Sequence, residues 1–202
     1  MDLKLKIAST LVAAALISGC VIGNQTGRNG QNVSVTLGNV EVERGERAGH
    51  LETVNGNIEV EERAVIESAE TVNGNIDLGD FSKSGELETV NGRIEIGEKA
   101  EVDGDVETVN GEIYVGKGSQ VLKDITITNG DVIVKSGAKV FGNIVFDHTN
   151  WSSLFESKIE RTLEIEKGAE LVGDIILYSP VELILPDDFD RSKIDNRMES
   201  AK

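Results

Sequence analysis

Four glutamates, Glu52, Glu70, Glu88 and Glu107, recur at steps of 18, 18 and 19 residues, each opening the phrase Glu-Thr-Val-Asn-Gly. Carboxylates gathered into one column could hold a divalent cation or a basic polymer. Stacked about 4.8 Å apart, each neighbouring pair repels by roughly 0.9 kcal/mol even at water's dielectric. Salt screens such a stripe when it faces solvent, so a solvated acidic face is favoured over a cation site. The Gly-Gly-x-Gly-x-Asp calcium repeat is absent. The two histidines, His50 and His148, are far apart in sequence, and neither lies in a repeated phrase beside a nucleophile. His148, near a break in the repeat, is the one candidate for acid–base work, set against a plain loop histidine. No His/Cys set has metal-ligand spacing, and there is no phosphate-binding loop. The expectation is a non-enzyme without catalytic residues, metal or cofactor.

The same spacing fixes the scaffold. Asn55, Asn73, Asn91, Asn110 and Asn129 mark five copies of the phrase, the last worn to Thr126-Ile127-Thr128-Asn129-Gly130. A fixed step of this size means stacked units that bury their apolar sides only against neighbours. Gly38-Asn39-Val40-Glu41-Val42 begins the pattern. Ala100 to Val106, Ala138 to Ile144 and Ala169 to Ile175 carry it on in a second phrase, so the array runs from about Val33 to Leu185 in roughly eight turns. After each Asn-Gly comes x-Ile-x-Val, as in Ile58 and Val60 or Ile94 and Ile96, which is the period of a strand with one dry face. Asn-Gly reads as a turn in which both residues tolerate positive φ. Second turns fall at Gly97 to Ala100, Gly116 to Gly118 and Lys135 to Gly137.

The expected fold is all-β, a single-stranded parallel β-helix solenoid of about eight 18–19-residue rungs. The 19-residue steps and the Asn-Gly corner favour a right-handed coil. Ile96 to Val102 and Val115 to Val121 resemble the hexapeptide repeats of left-handed β-helices, which keeps that hand open. Val54, Val72, Val90 and Val109 are expected to form an apolar ladder, although Leu51 and Val54 cannot both point inward along a regular strand. Asn55, Asn73, Asn91, Asn110 and Asn129 are expected to form a structural ladder of buried corner amides, each bonded to the next rung.

The first twenty residues read as an address. A short basic start with Lys4 and Lys6 precedes an apolar run from Ile7 to Ile17, too short to span a bilayer. Leu16-Ile17-Ser18-Gly19-Cys20 then resembles the lipobox of bacterial lipoproteins. The resemblance implies cleavage before Cys20, a diacylglycerol on its sulfur and an acyl chain on its new amino group. Residues 1–19 are thus the signal peptide. Two or more acyl chains give stable anchoring. By likeness to Gram-negative sorting, Val21 after the cysteine favours the outer membrane, facing the periplasm or the surface. Residues 20–32 are read as the lipidated cysteine and a flexible polar tether. Cys20 is the only cysteine, so no internal disulfide forms.

Removing residues 1–19, with Lys4, Lys6 and Asp2, leaves 18 basic and 35 acidic side chains and a formal charge near −17. A body this acidic is not expected to bind nucleic acid or anionic lipid surfaces. The repeat domain is read as 33–186. It is broken at about 147–160 by a segment holding Trp151, Leu154 and Phe155, a possible interaction loop weighed against a loop that covers its own core. Val181 to Leu185 is a final strand stopped by Pro186, and 187–202 is a polar tail or cap. With that end capped, long head-to-tail filaments are not expected, although other self-association is open.

Gly137 to Ile144 and Gly168 to Ile175 resemble the Gly-Ala-x-Val-x-Gly-Asp-Ile phrase of the bactofilins, polymer-forming proteins with a parallel β-helix core. The Val-Asn-Gly-x-Ile-x-Val phrases resemble putative adhesin β-repeat domains. The combined expectation is a membrane-anchored envelope lipoprotein with a structural, scaffolding or adhesion-type role. Its partners would be the bilayer, through Cys20, and an envelope protein or polysaccharide. The alternative is an envelope enzyme acting on polysaccharide or in acyl transfer, since left-handed β-helix acyltransferases use a histidine.

Overall fold

The computed structural model describes residues 21–147 and 161–198. Within them every strand pairing is parallel, and the strands wind into a β-solenoid of about eight turns. Each full turn has three faces. In one turn the first face is His50–Asn55, the second is Ile58–Val60, and the third passes through Val65, which bridges Arg47 and Lys83. Residues 18 or 19 apart pair directly, as Ile58 with Ile76 and Ile94 with Ile113. The period read from the sequence is therefore the turn of the coil.

The core is a single apolar column. Ile58, Val60, Ile76, Leu78, Ile94 and Ile96 on the second face are almost fully buried. They meet Leu51, Ala69, Leu87 and Val106 from the first face and Ala64, Ala100, Val102 and Val121 from the third. Small residues recur where the third face begins, at Ala64, Ser82, Ala100, Ser119 and Ala138. Immediately before each of them stands a residue in the left-handed region: Arg63, Phe81, Lys99, Gly118 and Gly137. Three of these are not glycine, and a left-handed residue costs about 1–2 kcal/mol. Phe81 offsets part of that cost, because Arg63 and Lys99 lie over its ring at 5.1 and 5.2 Å from the centroid.

The phase left open by Leu51 and Val54 resolves in favour of Leu51 and Thr53. Both point inward and are buried, as are Thr71, Thr89 and Thr108. A buried hydroxyl needs a partner. Thr53, Thr71 and Thr89 donate to the carbonyls of Gly38, Gly56 and Gly74, one turn back, at 3.0–3.1 Å. The valine ladder therefore lies on the outer side of the first face, where Val72 and Val90 pack on the fully buried Val109 apart from the core.

The Asn-Gly corner is not a positive-φ turn. None of the five asparagines has positive φ, and of the glycines in the five copies only Gly130 does. What excludes a side chain is the neighbouring turn. A Cβ on Gly56, Gly74, Gly92 or Gly111 would fall 1.8–2.0 Å from the carbonyl oxygen of the glycine one turn back.

Both ends of the array are longer than the sequence suggested. The polar segment assigned as a free tether forms the first turn. Gln25–Thr26 pairs with Val40 and Glu41, and Ile22 bridges Leu37. Thr36 N donates to Val21 O at 2.9 Å, and Gly30 N donates to Arg47 O at 2.7 Å. These bonds cover strand edges that would otherwise stand open. At the other end Pro186 does not stop the coil. A 3-10 turn at Arg191–Lys193 leads to Ile194–Asn196, which pairs with Ile175–Leu177. The Lys193 ammonium donates to the carbonyls of Leu171 and Val172 and closes the third face.

The break in the repeat lies between Ile144–Phe146 on the first face and Thr162–Ile165 on the second. His148, Trp151, Leu154 and Phe155 lie outside the described residues, as does Cys20.

Steric exclusion at the corner can be separated from backbone strain. Gly92→Ala should destabilise by about 1–3 kcal/mol or more through overpacking. Gly45→Ala, at a φ of +73° with nothing within 4 Å, should cost only the left-handed penalty of about 1 kcal/mol. Urea unfolding of both variants checks this; equal losses would contradict the close approach.

Candidate functional site

The repeated phrase builds three columns along the outer edge of the first face. The glutamates stand in register, Glu52 beside Glu70, Glu70 beside Glu88 and Glu88 beside Glu107. All four are half-buried. Burial raises the Glu88 carboxyl to about 9, with a hydrogen bond to Glu86 and the charges of Glu86, Glu107 and Glu70 adding to it. Glu70 is raised as well, first by burial and then by Glu52 and Glu86, while His50 opposes the rise. Part of the acidic stripe therefore relieves its repulsion by holding protons, which the solvated picture from sequence did not include.

The asparagines form the expected amide column with a different exposure. Asn73, Asn91, Asn110 and Asn129 each donate from Nδ2 to the Oδ1 of the asparagine one turn back, at 2.9–3.0 Å. The side chains lie on the exterior of the corner, and four of the five residues are exposed. The column ends at a residue that sequence reasoning missed. Arg161, buried, donates from Nη2 to Asn129 Oδ1 at 2.7 Å and from Nε to Thr128 O at 2.9 Å. Arg161 follows the break in the repeat, so no spacing rule pointed to it. A second set of amides acts on backbone: Asn39, Asn57 and Asn75 accept from the N–H of Asn57, Asn75 and Arg93, each at 2.9 Å.

His50 does lie beside a nucleophile type, contrary to its sequence setting. It pairs in register with Ser68, and its Nδ1 is 2.9 Å from Ser68 Oγ. Its Nε2 is 3.0 Å from Glu67 Oε2. These three side chains open onto a cleft of about 450 Å³ that Glu70, Glu86, Asp103, Asp105 and Lys123 also line. Serine, imidazole and carboxylate in contact are the parts of an acyl-transfer site. The surroundings oppose that chemistry. A tetrahedral intermediate carries a negative oxygen and needs donors aimed at it, whereas five carboxyl groups, Glu67 included, line this cleft. The arrangement instead suits a cationic group. Among the described residues, no set of three or more His, Cys, Asp or Glu side chains is placed to hold a metal ion.

No family model, curated protein or solved structure matches this chain. The candidate site is thus read from its own geometry.

Two outcomes follow. A carboxyl whose folded pKa is raised contributes stability at low pH, and that contribution is lost as pH climbs from the unfolded value of 4.5 through the folded value near 9. Tm should therefore fall between pH 5 and pH 9. Glu88→Gln should flatten the slope and raise Tm at pH 9, at about 2–4 °C per kcal/mol regained; an unchanged slope would contradict the shared protons. In the amide column, Asn91→Ala breaks two bonds and Asn55→Ala one. At about 0.5–1.5 kcal/mol per bond, chemical denaturation should show roughly twice the loss at Asn91.

Proposed function

We propose that this chain is a lipid-anchored β-solenoid of the bacterial cell envelope, with a structural, scaffolding or adhesion-type binding role. One observation carries the structural part. The threonine, valine, asparagine and glycine of the repeated phrase are all engaged in contacts between turns, so the repetition serves the column itself. The exposed faces are left to meet partners, an envelope protein or polysaccharide. The anchor rests on the sequence alone: a basic start, an apolar run and Leu16-Ile17-Ser18-Gly19-Cys20. No helix of the described residues is long and apolar enough to cross a membrane. Val21 after Cys20 supports the outer membrane as destination. Lys193, seated on the carbonyls that a following copy would need, supports short assemblies over long filaments.

A second reading is favoured by the contact of Ser68, His50 and Glu67: an envelope hydrolase or acyltransferase working in the acidic cleft. A fluorophosphonate probe separates the two. The structural reading expects no labelling of Ser68. Labelling lost in Ser68→Ala and in His50→Ala would favour the enzyme.

The anchor is checked in cells fed radioactive palmitate. The intact chain should carry label and fractionate with membranes, and Cys20→Ala should lose both. Retained label and unchanged fractionation in Cys20→Ala would refute the lipoprotein assignment.

A further inference from the structure

The outer corner column changes character at one end only. In register along it stand Leu37, Asn55, Asn73, Asn91, Asn110 and Asn129, with Ile22 bridged to Leu37 above them. Five turns carry an amide at this position. The two turns nearest Cys20 carry Leu37, 45% exposed, and Ile22, 70% exposed. Ile22 is the most exposed large apolar side chain among the described residues. Leu37 also breaks the amide column where an asparagine would have gained a bond to Asn55.

The chain has no slack between this pair and the acylation site. Val21 O already accepts from Thr36 N at 2.9 Å and from Leu37 N at 3.3 Å. Each residue spans at most about 3.6 Å, so the Cα atoms of Cys20 and Ile22 are within roughly 7 Å of one another. Acyl chains on Cys20 would hold the first turn at the lipid surface, where exposed Ile and Leu gain by leaving water. The rest of the body carries a strong negative charge, which disfavours laying its length along anionic lipid.

We infer that the solenoid stands end-on upon the bilayer by its first turn, with Ile22 and Leu37 seated in the lipid interface. The occupant of this apolar corner is membrane lipid. The inference rests on acylation of Cys20 and goes beyond it, because an anchored protein on a free tether would not hold its first turn against the surface.

The experiment uses the full chain, acylated in cells, purified from membranes and reconstituted into phosphatidylcholine–phosphatidylglycerol vesicles containing spin-labelled lipid. With the Cys20 sulfur blocked by its lipid, Ile22→Cys, Leu37→Cys and Val172→Cys each supply one free thiol for an environment-sensitive fluorophore. Val172 is exposed and lies roughly 30 Å along the axis at about 4.8 Å per turn. Quenching by the lipid spin label should be several-fold stronger at 22 and 37 than at 172. Equal quenching at all three, or the strongest at 172, would overturn the end-on arrangement. Palmitate labelling of the same preparations keeps the two claims apart. Label without quenching at 22 and 37 removes the end-on contact and leaves the anchor, whereas absence of label removes both. Leu37→Asn guards against a folding artefact. It extends the amide column, so it should keep the urea midpoint while weakening quenching of the probe at 22; unchanged quenching would count against seating of Leu37 in lipid.

Discussion

At the corner between the first two faces, successive turns approach so closely that an added Cβ would overlap the carbonyl oxygen below it. The gap is 2.0 Å at Gly56, 1.9 Å at Gly92 and 1.6 Å at Gly130. Much of the coil follows from that approach. The crowded carbonyls of Gly38, Gly56, Gly74 and Gly92 accept from Thr53, Thr71, Thr89 and Thr108, which lets a hydroxyl lie in an apolar core. The asparagine before each glycine then faces its counterpart one turn back at bonding distance. Glycine, threonine and asparagine thus form one cross-turn clamp, and it repeats because the turn repeats.

Stacking identical turns also stacks identical charges. The molecule meets that cost in two ways. On the third face opposite charges alternate between turns, with Lys83 on Glu101 at 2.9 Å and Lys139 on Glu170 at 3.0 Å. On the first face the glutamates stand in register on one another, and burial together with mutual repulsion pushes Glu70 and Glu88 toward the protonated form. The expected consequence is a fold favoured by mild acid, opposite to the behaviour of carboxylates held by ion pairs.

The period, the parallel pairing and the amide column were legible in the sequence because each depends on spacing alone. The inward phase of the first face was not, since Leu51 and Val54 compete and the choice fell to Thr53, a polar residue whose partner is a backbone carbonyl. Asn-Gly suggested a turn dihedral, whereas the constraint is contact between turns, which one copy of a phrase cannot reveal. The segment from Val21 to Asn32 read as a tether by its composition, yet its glycines and amides serve the backbone bonds of the first turn. Arg161 and the pairing of His50 with Ser68 escaped notice for a shared reason. Each involves a residue that belongs to no repeated phrase.

The claim beneath all of this is that turns 18 or 19 residues long stack straight, one strand spacing apart. Glu41, Glu59, Asp77, Glu95, Tyr114, Ile133, Glu164 and Ile184 occupy one register position on the second face. Spin labels on pairs of these sites, in a Cys20→Ala chain, convert the stack into distances by double electron–electron resonance. From Glu41 to Ile133 is five steps and to Ile184 is seven, so separations of about 24 and 34 Å are expected at about 4.8 Å per step. Distances that do not grow in proportion to the number of turns would contradict the solenoid.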